Sequence, residues 1–125
     1  MKKTKIKIPN SKFFVEVCLY ETVKEVQRAS RDKTCAAMYR PNGVVIYPKH
    51  RVYPKLGTIY LARERLGCGL ISHEVLHCSF DYMHKKYNIG SVRTGNSERQ
   101  EDMCYQHGYL LKEIINWLSD NKLWN

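Results

Sequence analysis

The stretch Leu70-Ile71-Ser72-His73-Glu74-Val75-Leu76-His77-Cys78 constrains this chain more than any other. Around it Leu66, Leu70, His73, His77, Phe80 and His84 recur at alternating steps of four and three, the period of one helix face. Ile71, Val75, Leu76, Cys78 and Met83 spread apolar character over most of the remaining circumference. A helix that is apolar nearly all round packs among other elements instead of lying on the surface. The spacing therefore predicts a buried helix through residues 70–84, with Gly67 and Gly69 ahead of it as loop residues.

Inside that helix lies His-Glu-x-x-His. Four positions make one helical turn, so His73 and His77 share a face, the spacing at which two imidazoles bind one zinc ion. Glu74 adjoins them, where its carboxylate can take a proton from a water that zinc acidifies to roughly pKa 7. The plainer alternative is a packed helix whose two histidines are satisfied by ordinary hydrogen bonds. A chance match to the motif in a chain of this kind is on the order of one per cent.

At 125 residues the chain is long enough for one core and too short for two, so residues 1–125 are read as a single domain. Hydrophobic residues at 43% and charged residues at 26% exclude a disordered chain. Cys18, Cys35, Cys68, Cys78 and Cys104 are odd in number, scattered, and never spaced as Cys-x-x-Cys. That usage argues against a disulfide framework and fits a reducing cytoplasm. Cys78, next to His77, is the one thiol placed to matter. The basic start of the chain lacks the apolar core of a signal peptide, and no run approaches the roughly 20 apolar residues of a membrane span. The expected location is cytoplasmic.

A net charge of +9 admits nucleic acid, or an acidic protein or peptide, as a partner. The lysines and arginines are dispersed from Lys2 to Lys122, so charge alone selects none of these over a merely solvated surface.

In chain order, residues 4–8 and 12–19 read as strands divided by Pro9-Asn10-Ser11. Residues 21–31 read as a helix with a narrow apolar stripe. Residues 35–39 and 44–47 flank Arg40-Pro41-Asn42-Gly43, a strong turn sequence that predicts a hairpin, followed by a loop over 48–54. A short strand over 57–62 precedes the histidine helix. A polar connection over 85–96 leads to a last helix from Ser97 towards Leu118, opened by Ser97-Glu98-Arg99-Gln100 in the form of a capping box.

A catalytic zinc site takes a third protein ligand and leaves a fourth position open. His84 falls one residue out of register for a third histidine of the His-Glu-x-x-His-x-x-Gly-x-x-His type, and Phe80 stands at the glycine position. Glu98, Glu101 and Asp102 on the last helix are the alternatives. If Cys104, Gly108, Leu111, Ile115 and Leu118 form that helix's inward stripe, Glu101 lies within roughly 70° of it and the other two lie beyond roughly 90°. Glu101 is therefore the expected third ligand, although acidic residues in a first helical turn are also favoured by the helix dipole alone.

The strand Gly57-Thr58-Ile59-Tyr60-Leu61, the helix with His73-Glu74-Val75-Leu76-His77, and Glu101-x-x-x-Tyr105-x-x-Gly108 together resemble the small gluzincin metallopeptidases, or minigluzincins, of bacteria, phages and plasmids. The resemblance covers roughly residues 57–118. It implies a zincin-like α+β fold with a small mixed or antiparallel sheet. It implies zinc held by His73, His77 and Glu101, Glu74 as catalytic base, and residues 58–61 as an edge strand that pairs with an extended polypeptide substrate. Glu98 with Asp102 also fits the Glu-x-x-x-Asp pattern of larger gluzincins, in which the Asp orients a zinc-bound histidine. Tyr82, Tyr87, Arg93 and His107 remain the candidates for stabilising an oxyanion.

The expected function is zinc-dependent peptide-bond hydrolysis, with a regulatory protein as a conceivable further partner. The alternative is a basic binding protein of a mobile element, acting on nucleic acid or a host factor, whose zinc site is structural or vestigial. A fourth protein ligand such as His84, Cys78 or His107 would favour that alternative.

Overall fold

A computed structural model describes residues 1–43, 54–87 and 97–124. The first strand, β1 (Lys2–Lys7), turns through Asn10, whose φ of 57° is left-handed, and returns as β2 (Phe14–Tyr20). Ser11 closes the turn: its hydroxyl donates to the Ile8 carbonyl at 2.8 Å and accepts from the Phe13 amide at 3.1 Å. The short helix α1 (Val23–Ser30) starts at Thr22, whose hydroxyl accepts the Glu25 amide, and stops at Arg31 in the left-handed region. The strands β3 (Met38–Pro41) and β4 (Lys55–Ala62) follow, and then the two long helices, α2 (Cys68–Tyr87) and α3 (Ser97–Asp120).

The four strands form one mixed sheet in the order β1-β2-β4-β3. The outer pairs are antiparallel and the central pair β2/β4 is parallel, with Val17 opposite Ile59 and Leu19 opposite Leu61. Period-two alternation sends Ile6, Val15, Val17, Leu19, Ile59 and Leu61 to one face. There they meet Ile71, Val75, Cys78 and Tyr82 of α2 and Leu110, Ile114 and Leu118 of α3 in a single buried cluster. Helix α1 lies on β4, β2 and β3 through the buried Val26, outside that cluster. The α+β class and the small mixed sheet thus agree with expectation.

Three expectations change. Residues 58–61 are not an edge: β4 lies between β2 and β3, and both of its faces are largely buried. A strand buried on both faces loses the alternation that would mark it, and reads as a continuous apolar run. The edge strand beside the histidine helix is β3, which pairs with β4; residues 44–47, expected as its hairpin partner, lie outside the described residues. Gly69 belongs to the first turn of α2 instead of a loop.

The third correction concerns α3. Its fully buried stripe is Gln106, Leu110, Ile114 and Leu118, while Cys104 and Gly108 are exposed. The expected stripe is rotated by roughly 100° from the one that packs, because a polar Gln106 occupies a fully buried position of the latter. Relative to the observed stripe, Glu101 stands roughly 150° away.

Near its N-terminus α3 is clamped to the end of α2 through Asp102. Its carboxylate accepts from Lys86 Nζ at 2.7 Å, from Tyr82 Oη at 3.3 Å and from Tyr87 Oη. Burial alone would push this carboxyl up, but the hydrogen bonds from Lys86 and Tyr87 hold it below the ordinary aspartate value. A lowered pKa means stability that is fully present above the unfolded value of about 3.9 and lost as pH falls from there through the folded value. We expect Asp102→Asn to cost about 1 kcal/mol in urea unfolding at neutral pH. The gap between variant and parent should close towards pH 3, and a gap that does not shrink there would contradict the clamp.

Candidate metal centre

Successive residues of a helix are turned by roughly 100°, so the side of α2 that faces the sheet determines where every other side chain goes. Ile71, Val75, Cys78 and Tyr82 point at the sheet. His73 and His77 consequently emerge on the outer face with Leu76 and Phe80, which are 39% and 47% exposed. The two rings are edge to face with centroids 4.8 Å apart. Their Nε2 atoms converge to 3.2 Å. Two nitrogens each about 2.05 Å from a tetrahedral zinc would stand roughly 3.3 Å apart, so the pair has the span that a shared ion requires. The same separation suits a hydrogen bond in which one imidazole donates and the other accepts, and metal analysis separates the two cases.

Glu74 is different in kind, for only 6% of its surface is exposed. One oxygen, Oε1, accepts the backbone amide of Tyr39 on β3 at 2.7 Å. The other, Oε2, lies 3.9 Å from His73 Nε2, and the ligand atoms of His73, Glu74 and His77 all fall within 4.8 Å of one another.

A polar stripe along α2 holds this arrangement against the edge strand. Asp81 accepts from the Tyr39 hydroxyl at 2.6 Å and from Lys85 Nζ at 3.1 Å. Lys85 Nζ also donates to the carbonyls of Leu56 at 3.1 Å and Asn42 at 3.3 Å. Asp81 and Lys85 side chains are 14% and 9% exposed, so this ion pair is largely withdrawn from water, and the further hydrogen bonds that each partner makes offset the cost. Burial, reinforced by Cys78 and Asp81, pushes the Tyr39 phenol far up, so it stays a hydrogen-bond donor. Gly57 makes room for that ring: a Cβ there would stand 2.6 Å from the Arg40 carbonyl oxygen and closer still to the Tyr39 hydroxyl.

The structure brings together His73, His77 and Glu74. Glu101 is exposed on α3 and lies outside that group, as does the exposed Glu98. Asp102 is taken up by Lys86 and the two tyrosines. Tyr82 and Tyr87 are engaged in the same clamp; Arg93 falls outside the described residues. His107 sits at the seam between the helices, Nε2 3.4 Å from the Ser72 carbonyl oxygen. Cys78 is fully buried on the far side of α2, and burial pushes its thiol well up, which removes it as a ligand. Among the described residues neither Cys78, His84 nor His107 joins the group, so a closed four-ligand site is not assembled there. The sequence reading missed Tyr39, Asp81 and Lys85. Asp81 and Lys85 did carry a signal, an i,i+4 charged pair on a helix otherwise read as buried.

Among known proteins, no family model, no curated protein and no solved structure matches this chain. Among the described residues no helix is long and apolar enough to cross a membrane.

The pair makes a direct demand. His73→Ala and His77→Ala should each lose zinc on dialysis while the parent and His84→Ala keep it, His84 being seven residues, roughly 10 Å along the axis, beyond His77. Plasma-mass-spectrometric zinc per chain is the readout, and retention by either single variant would exclude the shared site.

Proposed function

We propose that the protein is a zinc-dependent peptidase of the gluzincin type, with Glu74 as general base. One observation supports this above the others: two surface histidines converge at a zinc-sized span beside a carboxylate that the fold has buried and aimed. Surface histidines are common, but a carboxylate 6% exposed next to them is costly unless it serves a purpose.

In this reading His73 and His77 supply two ligands through Nε2. Glu101 supplies the third, as the resemblance implies; it is an exposed carboxylate on α3 outside the clamp that occupies Asp102. Zinc, when bound, contributes a Lewis acid that polarises a carbonyl and acidifies water. The chain does the rest. Glu74 takes the proton of the attacking water at its carboxylate and passes it to the departing nitrogen, so the peptide bond is cleaved to a carboxylate and an amine. In the resting protein its hydrogen bond to the Tyr39 amide fixes one oxygen. Leu76 and Phe80, exposed beside the histidines, give the substrate an apolar surface to rest on.

Two variants test the reading. Glu74→Gln should keep the fold and the metal but lose on the order of 10² to 10⁴ in rate on unfolded polypeptide, because an amide of the same shape cannot accept the proton. Undiminished zinc-dependent cleavage by that variant would remove Glu74 from the role. Glu101→Gln should weaken zinc retention in chelator competition more than Glu98→Gln does. The reverse ranking would transfer the ligand role to Glu98.

A further inference from the structure

Within β3 the backbone donors alternate between the sheet and the outside. The Met38 and Arg40 amides face β4, opposite Tyr60 and Thr58, whereas the Tyr39 amide faces away, towards α2. Position 41 would be the next outward donor, but it is proline and has no N–H. Tyr39 therefore holds the one outward donor within β3, and Glu74 already occupies it at 2.7 Å.

We propose that the Tyr39 amide is an exchangeable latch: it parks Glu74 in the resting protein, and an extended polypeptide that pairs onto β3 takes the amide with a backbone carbonyl and so releases the base. The inference rests on the peptidase reading and adds to it the event that frees the carboxylate. An extended chain needs N–H and C=O groups on the edge it joins, and here the only outward N–H within β3 is held by the residue that must be mobilised for chemistry. While it is held, Glu74 Oε2 stays 3.9 Å from His73 Nε2, beyond hydrogen-bond reach. Once Oε1 is displaced, both oxygens can turn towards the histidine pair.

The strand does not depend on the latch to stay in place. The Tyr39 hydroxyl remains on Asp81, Lys85 still holds Asp81 and the carbonyls of Leu56 and Asn42, and Gly57 still admits the ring. The donor is thus presented rigidly whichever acceptor it serves. Only the acceptor changes, from a side-chain carboxylate to a substrate carbonyl.

The test compares two variants without the general base, so binding can be read without cleavage. In Glu74→Gln the side-chain oxygen can still accept the Tyr39 amide; in Glu74→Ala nothing competes for it. Titrated against dye-labelled, reduced casein in fluorescence anisotropy, Glu74→Ala should bind roughly fivefold more tightly, the scale of one neutral hydrogen bond. By NMR hydrogen exchange the Tyr39 amide should be protected in Glu74→Gln, exposed in Glu74→Ala alone, and protected again when casein saturates Glu74→Ala. Equal affinities, binding by neither variant, or a Tyr39 amide that still exchanges rapidly under saturating casein would each overturn the latch. Failure of the parent to cleave casein with zinc would instead overturn the peptidase reading, while the exchange result would still decide whether β3 accepts a chain.

Discussion

The architecture around the site depends on the contact between the polar stripe of α2 and the edge strand β3. Glu74, Asp81 and Lys85 are charged groups withdrawn from water, and each would be strongly destabilising without a partner. An edge strand has the complementary difficulty, since its outward backbone groups have no neighbouring strand. Placing the stripe against the edge resolves both: the outward Tyr39 amide goes to Glu74, and Lys85 goes to the carbonyls of Asn42, just past β3, and Leu56 on β4. The consequence for function is rotational. Once that stripe faces β3 and the apolar stripe faces the sheet, the arc bearing His73 and His77 has to face out.

This arrangement separates two kinds of solvation within one turn of helix. The histidines stand in water, where ligands can exchange, while the carboxylate between them in sequence is enclosed. A residue intended only for solubility would not be buried and given a backbone amide. A residue intended only for packing would not be a glutamate. The adjacent positions 73 and 74 are thereby assigned unlike environments by a rotation of roughly 100°.

How much of this could be read from the chain depends on which forces are local. The α+β class, the strands around Pro9-Asn10-Ser11, α1 and the helix with the two histidines were all legible, because periodicity and turn chemistry act over a few residues. The His73–His77 convergence was legible for the same reason. The order of strands was not: β4 pairs with β2 across α1 and β3, and nothing in Thr58-Ile59-Tyr60-Leu61 shows which neighbours it has. The rotation of α3 failed at Gln106, a polar residue at a fully buried position with no hydrogen-bond partner among the described residues. The Tyr39 amide could not have been found at all, since a backbone donor has no signature in side-chain pattern.

The same distinction between near and distant contacts bears on the order in which the protein acquires its properties as it folds. Bringing His73 and His77 together requires a single helical turn, a structure that forms in microseconds or less and can be populated before any sheet exists. Anchoring Glu74 requires β3, 35 residues earlier in the chain, and β3 in turn needs β4 and the parallel closure of β4 on β2. Such non-local pairings come late because the loop entropy must be met before they contribute. A nascent or partly unfolded chain can therefore bring the two imidazoles together well before it can anchor the carboxylate between them, so the local pair is an early event in the life of the polypeptide and the long-range anchor a late one.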